Sequence, residues 1–383
     1  MRHIAVVTGA RSDYGIWLPV LREIEATPDL ELSLLVTGMH LAPEFGLTVR
    51  TIEADGFHIE ERIDMLIAGD TPAAISKSMG IGVMGFAGCF ARFRPDILMV
   101  LGDRFETITA VLAALPYKIP VAHLHGGEVT EGVIDDSLRH AITKMSHLHF
   151  VSTHDYARRV IQMGEEPWRV TVCGAPSLDN LNHMALLDLP KLEVRVGMAL
   201  DRPFLLVTYH PVTLEYEHTA WQIGELLAAL DEAGMPVLFT LPNADTGGRV
   251  IIDAVRQYVA AHPQSRVVDN LGTQAYFSLM RYAAAMVGNS SSGILEAASF
   301  KLPVVNIGNR QKGRTHAENV IDVGYWQAAV LQGILQAVKP SFRAGLAGLV
   351  NPYGDGHAAE RIVSVLRAAE LGNRLVTKRF TDV

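Results

Sequence analysis

The chain has 383 residues, 49% of them hydrophobic and 19% charged, a balance that excludes a disordered protein and gives enough length for two domains. A formal charge of −8 and a pI near 6.0 argue against nucleic acid as a main partner, while a local arginine cluster or helix N-terminus can still hold a small anion. The two cysteines, Cys89 and Cys173, lie far apart without metal-like spacing and read as free thiols of a reducing compartment. The first apolar run, Ile4–Val7, is too short for a signal-peptide core, and no stretch reads as the ~20 apolar residues of a membrane span. A cytoplasmic protein without membrane contact is expected.

Short apolar runs alternate with helix-patterned segments along the chain, the pattern of α/β folds with parallel sheets. Strands are predicted near Ile4–Val7, Glu31–Val36, Ile97–Leu101, Val121–Leu124 and Leu148–Val151. The pattern restarts with Phe204–Tyr209, Val237–Leu241, Arg266–Val268, Ala285–Val287 and Val304–Ile307. Between the halves, Leu186–Arg202 has broken periodicity and a proline, and is predicted to hold the domain linker. The stretch Ala358–Leu371 reads as a closing helix with Ile362, Val365, Leu366 and Ala369 on one face. No period of 20–50 residues repeats. Two such halves would leave a cleft between their carboxyl edges, where open α/β sheets bind ligands.

Polar clusters fall just past the predicted strands. Thr8–Gly15 (TGARSDYG) joins the first strand to a helix and offers Arg11 as a charged fork, but it is neither G-x-G-x-x-G nor a Walker loop. Gly102-Asp103-Arg104 follows the strand Ile97–Leu101 and presents a carboxylate and a guanidinium. His123–His140 (HLHGGEVTEGVIDDSLRH) follows the next strand and packs histidines, carboxylates and glycines into one loop and helix start. In the second half His210 precedes Pro211 at a strand mouth, which holds it in an extended loop. Asn243 lies in the turn Leu241–Gly248 after another strand. Gly288–Glu296 (GNSSSGILE) puts three hydroxyls and two glycines at a helix start, suited to cradling a diphosphate, and Gly308–Arg314 (GNRQKGR) adds three cations.

Together these segments resemble the UDP-N-acetylglucosamine 2-epimerase family, and specifically its hydrolysing branch in sialic- and legionaminic-acid-type biosynthesis. The resemblance is carried by residues 8–15, VTGMH at 36–40, GDR at 102–104, 126–140, YHPVT at 209–213, 288–296 and 308–314, collinear over nearly the whole chain. It implies an α/β fold of glycosyltransferase-B type, two Rossmann-like domains facing across a cleft. The domains would be 1–185 and 186–365, with a C-terminal helix of about 366–383 returning to the first. By the same resemblance Asp103, Asp135, His210 and His125 would be catalytic. Arg11, Arg104, Glu128, Asn243, Ser290, Ser291, Ser292, Gly293, Glu296 and Arg310 would contact the UDP-sugar, and a homodimer or homotetramer would form.

The chemistry accounts for such groups. The hydrogen on carbon-2 of the sugar is not acidic, so it leaves only as the bond from carbon-1 to UDP breaks. The site must neutralise the departing diphosphate, which suits Arg11, Arg310 and the serine loop. It must also bring a base to carbon-2, for which Asp103 and His210 are candidates, with Asp135 orienting or protonating. Water then adds across the glycal to give UDP and a free mannosamine-type sugar. This chemistry calls for no metal or redox cofactor. The branch acting on UDP-N-acetylglucosamine usually reads H-I-E-G-G-E, with a carboxylate where this chain has His125. A histidine exchanges protons near neutrality but supplies no negative charge. His125 and Glu131 therefore suggest a substrate variant, UDP-2,4-diacetamido-2,4,6-trideoxyglucose, with plain UDP-N-acetylglucosamine the alternative. A non-hydrolysing epimerase, a glycosyltransferase and a non-catalytic UDP-sugar sensor are the rival functions.

Overall fold

The structure, a computed structural model, describes residues 1–69, 71–130, 134–241, 248–268 and 271–382. The chain divides into two compact units. The first is formed by Met1–Glu128, Ile134–Asn180 and Tyr353–Val383, and the second is built on Leu181–Pro352.

Unit 1 holds a seven-stranded sheet of β1 (Arg2–Thr8), β2 (Leu30–Thr37), β3 (Ile59–Ile63), β4 (Ile97–Leu101), β5 (Val121–Leu124), β6 (Leu148–Val151) and β7 (Val170–Val172). All pairs are parallel and the order is β3-β2-β1-β4-β5-β6-β7. The period of two sorts β1 between two cores. Ile4 and Val6 join Trp17, Leu21, Ile362 and Leu366, while Ala5 and Val7 join Phe86, Phe90 and Val111. Strand order reverses between β1 and β4, so the loops leaving these two strands flank the switch point where such sheets bind ligands.

Unit 2 holds a six-stranded parallel sheet of β8 (Leu205–Thr208), β9 (Val237–Thr240), β10 (Arg266–Val268), β11 (Ala285–Gly288), β12 (Val304–Ile307) and β13 (Val320–Val323). Its order is β10-β9-β8-β11-β12-β13, with the reversal between β8 and β11. Leu205 and Val207 face Leu226, Val330 and Ile334, and Leu206 faces Leu279 and Met280. Each unit is thus Rossmann-like, and the fold is of the glycosyltransferase-B type.

Four sequence expectations are corrected. The strands β3, β7 and β13 were not predicted, and each lies at a sheet edge. Edge strands are half solvated, so IEERI and VTV lack the long apolar run of a central strand. The supposed linker instead contains the helix Leu189–Val196, with Asp188 accepting from the Lys191 N–H as N-cap. Pro190 sits in its first turn, where proline is tolerated rather than disruptive, and Leu192 and Val196 are buried in the unit 2 core.

The return to unit 1 comes at Tyr353 and not at 366, and the closing helix is Ala358–Ala368. Both its ends are satisfied inside unit 1. Asp179 accepts from the Ala358 and Ala359 N–H groups at 3.0 and 2.6 Å, and Arg2 donates to the Leu366, Arg367 and Ala369 carbonyls. Finally, the helix Pro72–Arg92 is long and apolar enough by length and composition to cross a membrane. Its buried residues Ala74, Ser78, Gly82, Phe86 and Phe90 recur every four residues, and it packs on the helix Phe105–Ala114 as a domain helix does.

Candidate active site

In unit 1 the loops leaving β1, β4 and β5 build one connected polar cluster. β4 ends at Leu101, and the Gly102 carbonyl accepts from His123 Nε2 at 2.7 Å. Burial, foremost, lowers the His123 pKa to about 3, so this ring is neutral and serves as a spacer between β4 and β5. Arg139, wholly buried on the helix Ile134–Met145, draws the loops together. Its Nη2 donates to Asp103 Oδ2 and its Nη1 to the Glu128 carbonyl at 3.0 Å and Asp136 Oδ1 at 3.2 Å. Asp103, predicted as catalytic, therefore stands beside the His125 loop with one carboxylate oxygen anchored. Asp135 lies in the first turn of the same helix, one residue before Asp136.

At the β1 exit, Asp13 sits in the first turn of the helix Arg11–Glu25. Burial raises its carboxyl pKa to about 6; Arg104 opposes the rise, and Glu106 and Asp103 add to it. Nothing in the sequence singled Asp13 out, because its proton affinity comes from neighbours on another loop. Arg104, expected among the UDP contacts, is already paired with the buried Glu106, its Nη2 to Oε1 distance being 2.8 Å. Burial works against the Arg104 charge, but Glu106 and Asp13 outweigh it and raise the pKa. Gly38 lies against this pair, where a Cβ would meet Glu106 Cγ at 2.9 Å. Arg11 is exposed at the start of its helix.

His125 is the first residue past β5 and has φ +61°, in the left-handed region. Its Nδ1 lies 2.5 Å from Glu128 Oε1. Ser152, just past β6, places Oγ 3.1 Å from both atoms. All three side chains are buried. Ser152 was not foreseen, since it is 27 residues from His125 in sequence and meets it only through β5–β6 pairing.

In unit 2 the loops after β8, β11 and β12 converge on Asn289, a fully buried residue that the sequence showed only as part of the serine motif. Its Oδ1 accepts from the His210 N–H at 2.7 Å and its Nδ2 donates to the His210 carbonyl at 2.8 Å. Its own carbonyl accepts from Arg310 Nη1 at 3.1 Å and Gln311 Nε2 at 2.8 Å. His210 is buried, and burial, then Arg310, lowers its pKa well below the usual imidazole value. Ser290 is the N-cap of the short helix Ser291–Leu295, its Oγ accepting from the Ser292 N–H. Ser290, Ser291 and Ser292 are all partly exposed, and Glu296 is buried just after the helix. A Cβ on Gly293 would stand 2.9 Å from Val304 Cγ1, so the glycine lets the short helix lie close on β12. Burial, foremost, pushes the Tyr276 hydroxyl up to about 12, and it bonds with the Thr208, Ser292 and Ser290 hydroxyls.

Asn243 and Glu131 lie outside the described residues. Among the described residues, no group of three or more His, Cys, Asp or Glu side chains is placed to hold a metal ion. Of the remaining predicted residues, Arg11, Asp103, Arg104, His125, Glu128 and Asp135 lie on unit 1, and His210, the three serines, Gly293, Glu296 and Arg310 lie on unit 2.

Comparison with known proteins gives a consistent picture. Residues 22–367 match the family model described as UDP-N-acetylglucosamine 2-epimerase. A Campylobacter jejuni protein named GDP/UDP-N,N'-diacetylbacillosamine 2-epimerase (hydrolyzing) is 42% identical over 323 residues, 84% of each chain. A Legionella pneumophila protein named UDP-N,N'-diacetylbacillosamine 2-epimerase (hydrolyzing) is 38% identical over 379 residues, 99% of each chain. Among solved structures, a Neisseria meningitidis UDP-GlcNAc 2-epimerase bound to UDP-GlcNAc superposes with a TM-score of 0.82 at 18% identity, covering 96% of this chain and 100% of that one.

Proposed function

The chain belongs to the UDP-N-acetylglucosamine 2-epimerase family, and from that premise we propose that it is a hydrolysing UDP-sugar 2-epimerase acting on UDP-2,4-diacetamido-2,4,6-trideoxyglucose. This sugar is N,N'-diacetylbacillosamine, the substrate in the names of the Campylobacter and Legionella relatives. The observation that carries the reading is the buried His125–Glu128 pair at the mouth of β5, where the family resemblance implies a carboxylate in the branch acting on UDP-N-acetylglucosamine.

The reaction divides into leaving-group and proton chemistry. Arg310 and the hydroxyls of Ser290, Ser291 and Ser292 are the donors suited to the diphosphate, with Glu296 for the ribose hydroxyls and Arg11 as a further cation. They stabilise the charge that UDP gains as its bond to carbon-1 breaks. Asp103, Asp135 and His125 are the proton-exchanging groups for elimination to the glycal and for its hydration. The anchoring of Asp103 by Arg139 and the neutral state of His210 bear on which takes the carbon-2 proton. The products are UDP and a free sugar inverted at carbon-2.

The test is incubation of the purified chain with the diacetamido UDP-sugar and with UDP-N-acetylglucosamine in deuterated water. Release of UDP together with a free sugar of mannosamine type, deuterated at carbon-2, is expected, and faster from the diacetamido substrate. Faster turnover of UDP-N-acetylglucosamine would overturn the substrate assignment. Appearance of UDP-N-acetylmannosamine in place of free sugar would overturn the hydrolytic one.

A further inference from the structure

We propose that His125 takes the carbon-2 proton in the elimination step, and that Glu128 and Ser152 are its positioning residues. The assignment rests on the reaction given above and names the base that the sequence left open between Asp103 and His210.

The local sequence builds this histidine a fixed seat. A non-glycine residue in the left-handed region costs roughly 1 kcal/mol or more and persists only where its surroundings impose it. Here the His125 N–H still donates to the Phe150 carbonyl at 3.1 Å, which keeps its backbone on the sheet while the chain turns away. The next two residues are closely confined, and at Gly127, with φ +76°, only glycine fits without strain. A Cβ on Gly126 would stand 3.0 Å from His123 Nδ1 and Thr143 Oγ1, and one on Gly127 would stand 2.6 Å from the Tyr156 carbonyl oxygen. His-Gly-Gly-Glu is therefore a turn that returns the Glu128 carboxylate to the ring three residues before it.

Proton placement follows from the contacts. Glu128 Oε1 is 2.5 Å from Nδ1 and accepts from Ser152 Oγ at 3.1 Å. If Nδ1 were bare, its lone pair would face a carboxylate oxygen at contact distance. Nδ1 thus carries the hydrogen and Nε2 presents the lone pair, the arrangement by which a carboxylate orients a histidine base. Nε2 is buried and has no hydrogen-bond partner among the described residues. Of the other candidates, Asp103 Oδ2 accepts from Arg139, whereas the His210 ring, on unit 2, has no carboxylate beside it among the described residues, Asn289 holding only its backbone.

In the step itself the Nε2 lone pair takes the proton from carbon-2. The electron pair of that C–H bond becomes the carbon-1–carbon-2 double bond, and the carbon-1–oxygen pair departs with UDP. The imidazolium keeps the proton until it is released to solvent. Hydration then forms a bond from water oxygen to carbon-1 and a bond from hydrogen to carbon-2 on the opposite face. That hydrogen comes from a second acid, which the proton lost by the attacking water restores. Because inversion needs opposite faces, His125 is not required to give the proton back.

The experiment uses the full chain, whichever of the two UDP-sugars the wild type turns over, the same sugar deuterated at carbon-2, and the corresponding synthetic glycal with UDP. His125→Ala is expected to lose UDP release by roughly 10²–10⁴-fold, to retain UDP binding, to regain part of its rate with added imidazole, and still to hydrate the glycal. Glu128→Gln should lose on the order of 10- to 100-fold in kcat with little change in KM. Both Glu128→Gln and Ser152→Ala should raise the primary deuterium isotope effect, because proton transfer becomes the slow step. A merely structural role would not move that effect. Glycal hydration lost in parallel with elimination, or an isotope effect unchanged in Glu128→Gln, overturns the proposal. UDP release by the wild type from neither sugar overturns the underlying reaction and this assignment with it.

Discussion

Glu165→Gln tests the most heavily loaded buried carboxylate of unit 1. Glu165 is fully buried and accepts from His149 Nε2 at 3.0 Å, Lys144 Nζ at 2.7 Å and Lys378 Nζ at 2.7 Å. It joins β6, the helix Ile134–Met145 and the terminal segment. Burial opposes its ionisation, but the hydrogen bonds from His149, Lys144 and Lys378 outweigh that and hold the pKa near 2, against an ordinary 4.5. A difference of that size corresponds to about 3 kcal/mol at neutral pH. Lys144 is 40% exposed and can return to water when its partner loses charge, so about 2–3 kcal/mol is expected for the variant. The folded pKa lies below the unfolded one. The contribution is therefore complete above about pH 4.5 and fades as pH falls toward 2, with less than half of it left at about pH 3. Native-state hydrogen exchange at Leu148–Val151, followed from pH 7 to pH 3, measures it. Protection unchanged at pH 7, or a penalty that stays constant down to pH 3, would refute the account.

Asp103→Asn and Asp135→Asn should each lower kcat at least tenfold and leave UDP affinity unchanged, read by UDP release and by titration with UDP; in Asp103→Asn the charged anchor of Arg139 is lost as well. Arg310→Ala should weaken UDP binding by roughly 10-fold or more, since a charge-assisted contact is worth about 1.5–3 kcal/mol, and raised salt should narrow the gap to wild type. Gly288→Ala should destabilise unit 2 by more than about 2 kcal/mol, because φ is +135° and the new Cβ would stand 2.0 Å from the Thr208 carbonyl oxygen; a thermal or urea midpoint within error of wild type would contradict that contact.

Much of this protein was legible from residue order because its chemistry is local. Central strands such as Ile97–Leu101 and Val304–Ile307 are buried on both faces, so the run of apolar residues declares them without reference to neighbours. The glycine, hydroxyl and charge clusters at strand ends are likewise contiguous, and their collinear spacing carried the family resemblance. Edge strands escaped because half-solvated backbone tolerates charge, and Leu186–Arg202 misled because a proline in the first turn of a helix resembles one that breaks it. The chemical state of the site was decided only by tertiary structure. Burial raises the Asp13 pKa to about 6, with Arg104 opposing and Glu106 adding to the rise from another loop, and Arg104 is drawn to Glu106. His125, placed by sequence at a family position whose usual carboxylate it lacks, is oriented by Glu128 and by Ser152 just past the neighbouring strand. Proton affinity and tautomer depend on what surrounds a group within a few ångströms, and those neighbours come from distant parts of the chain.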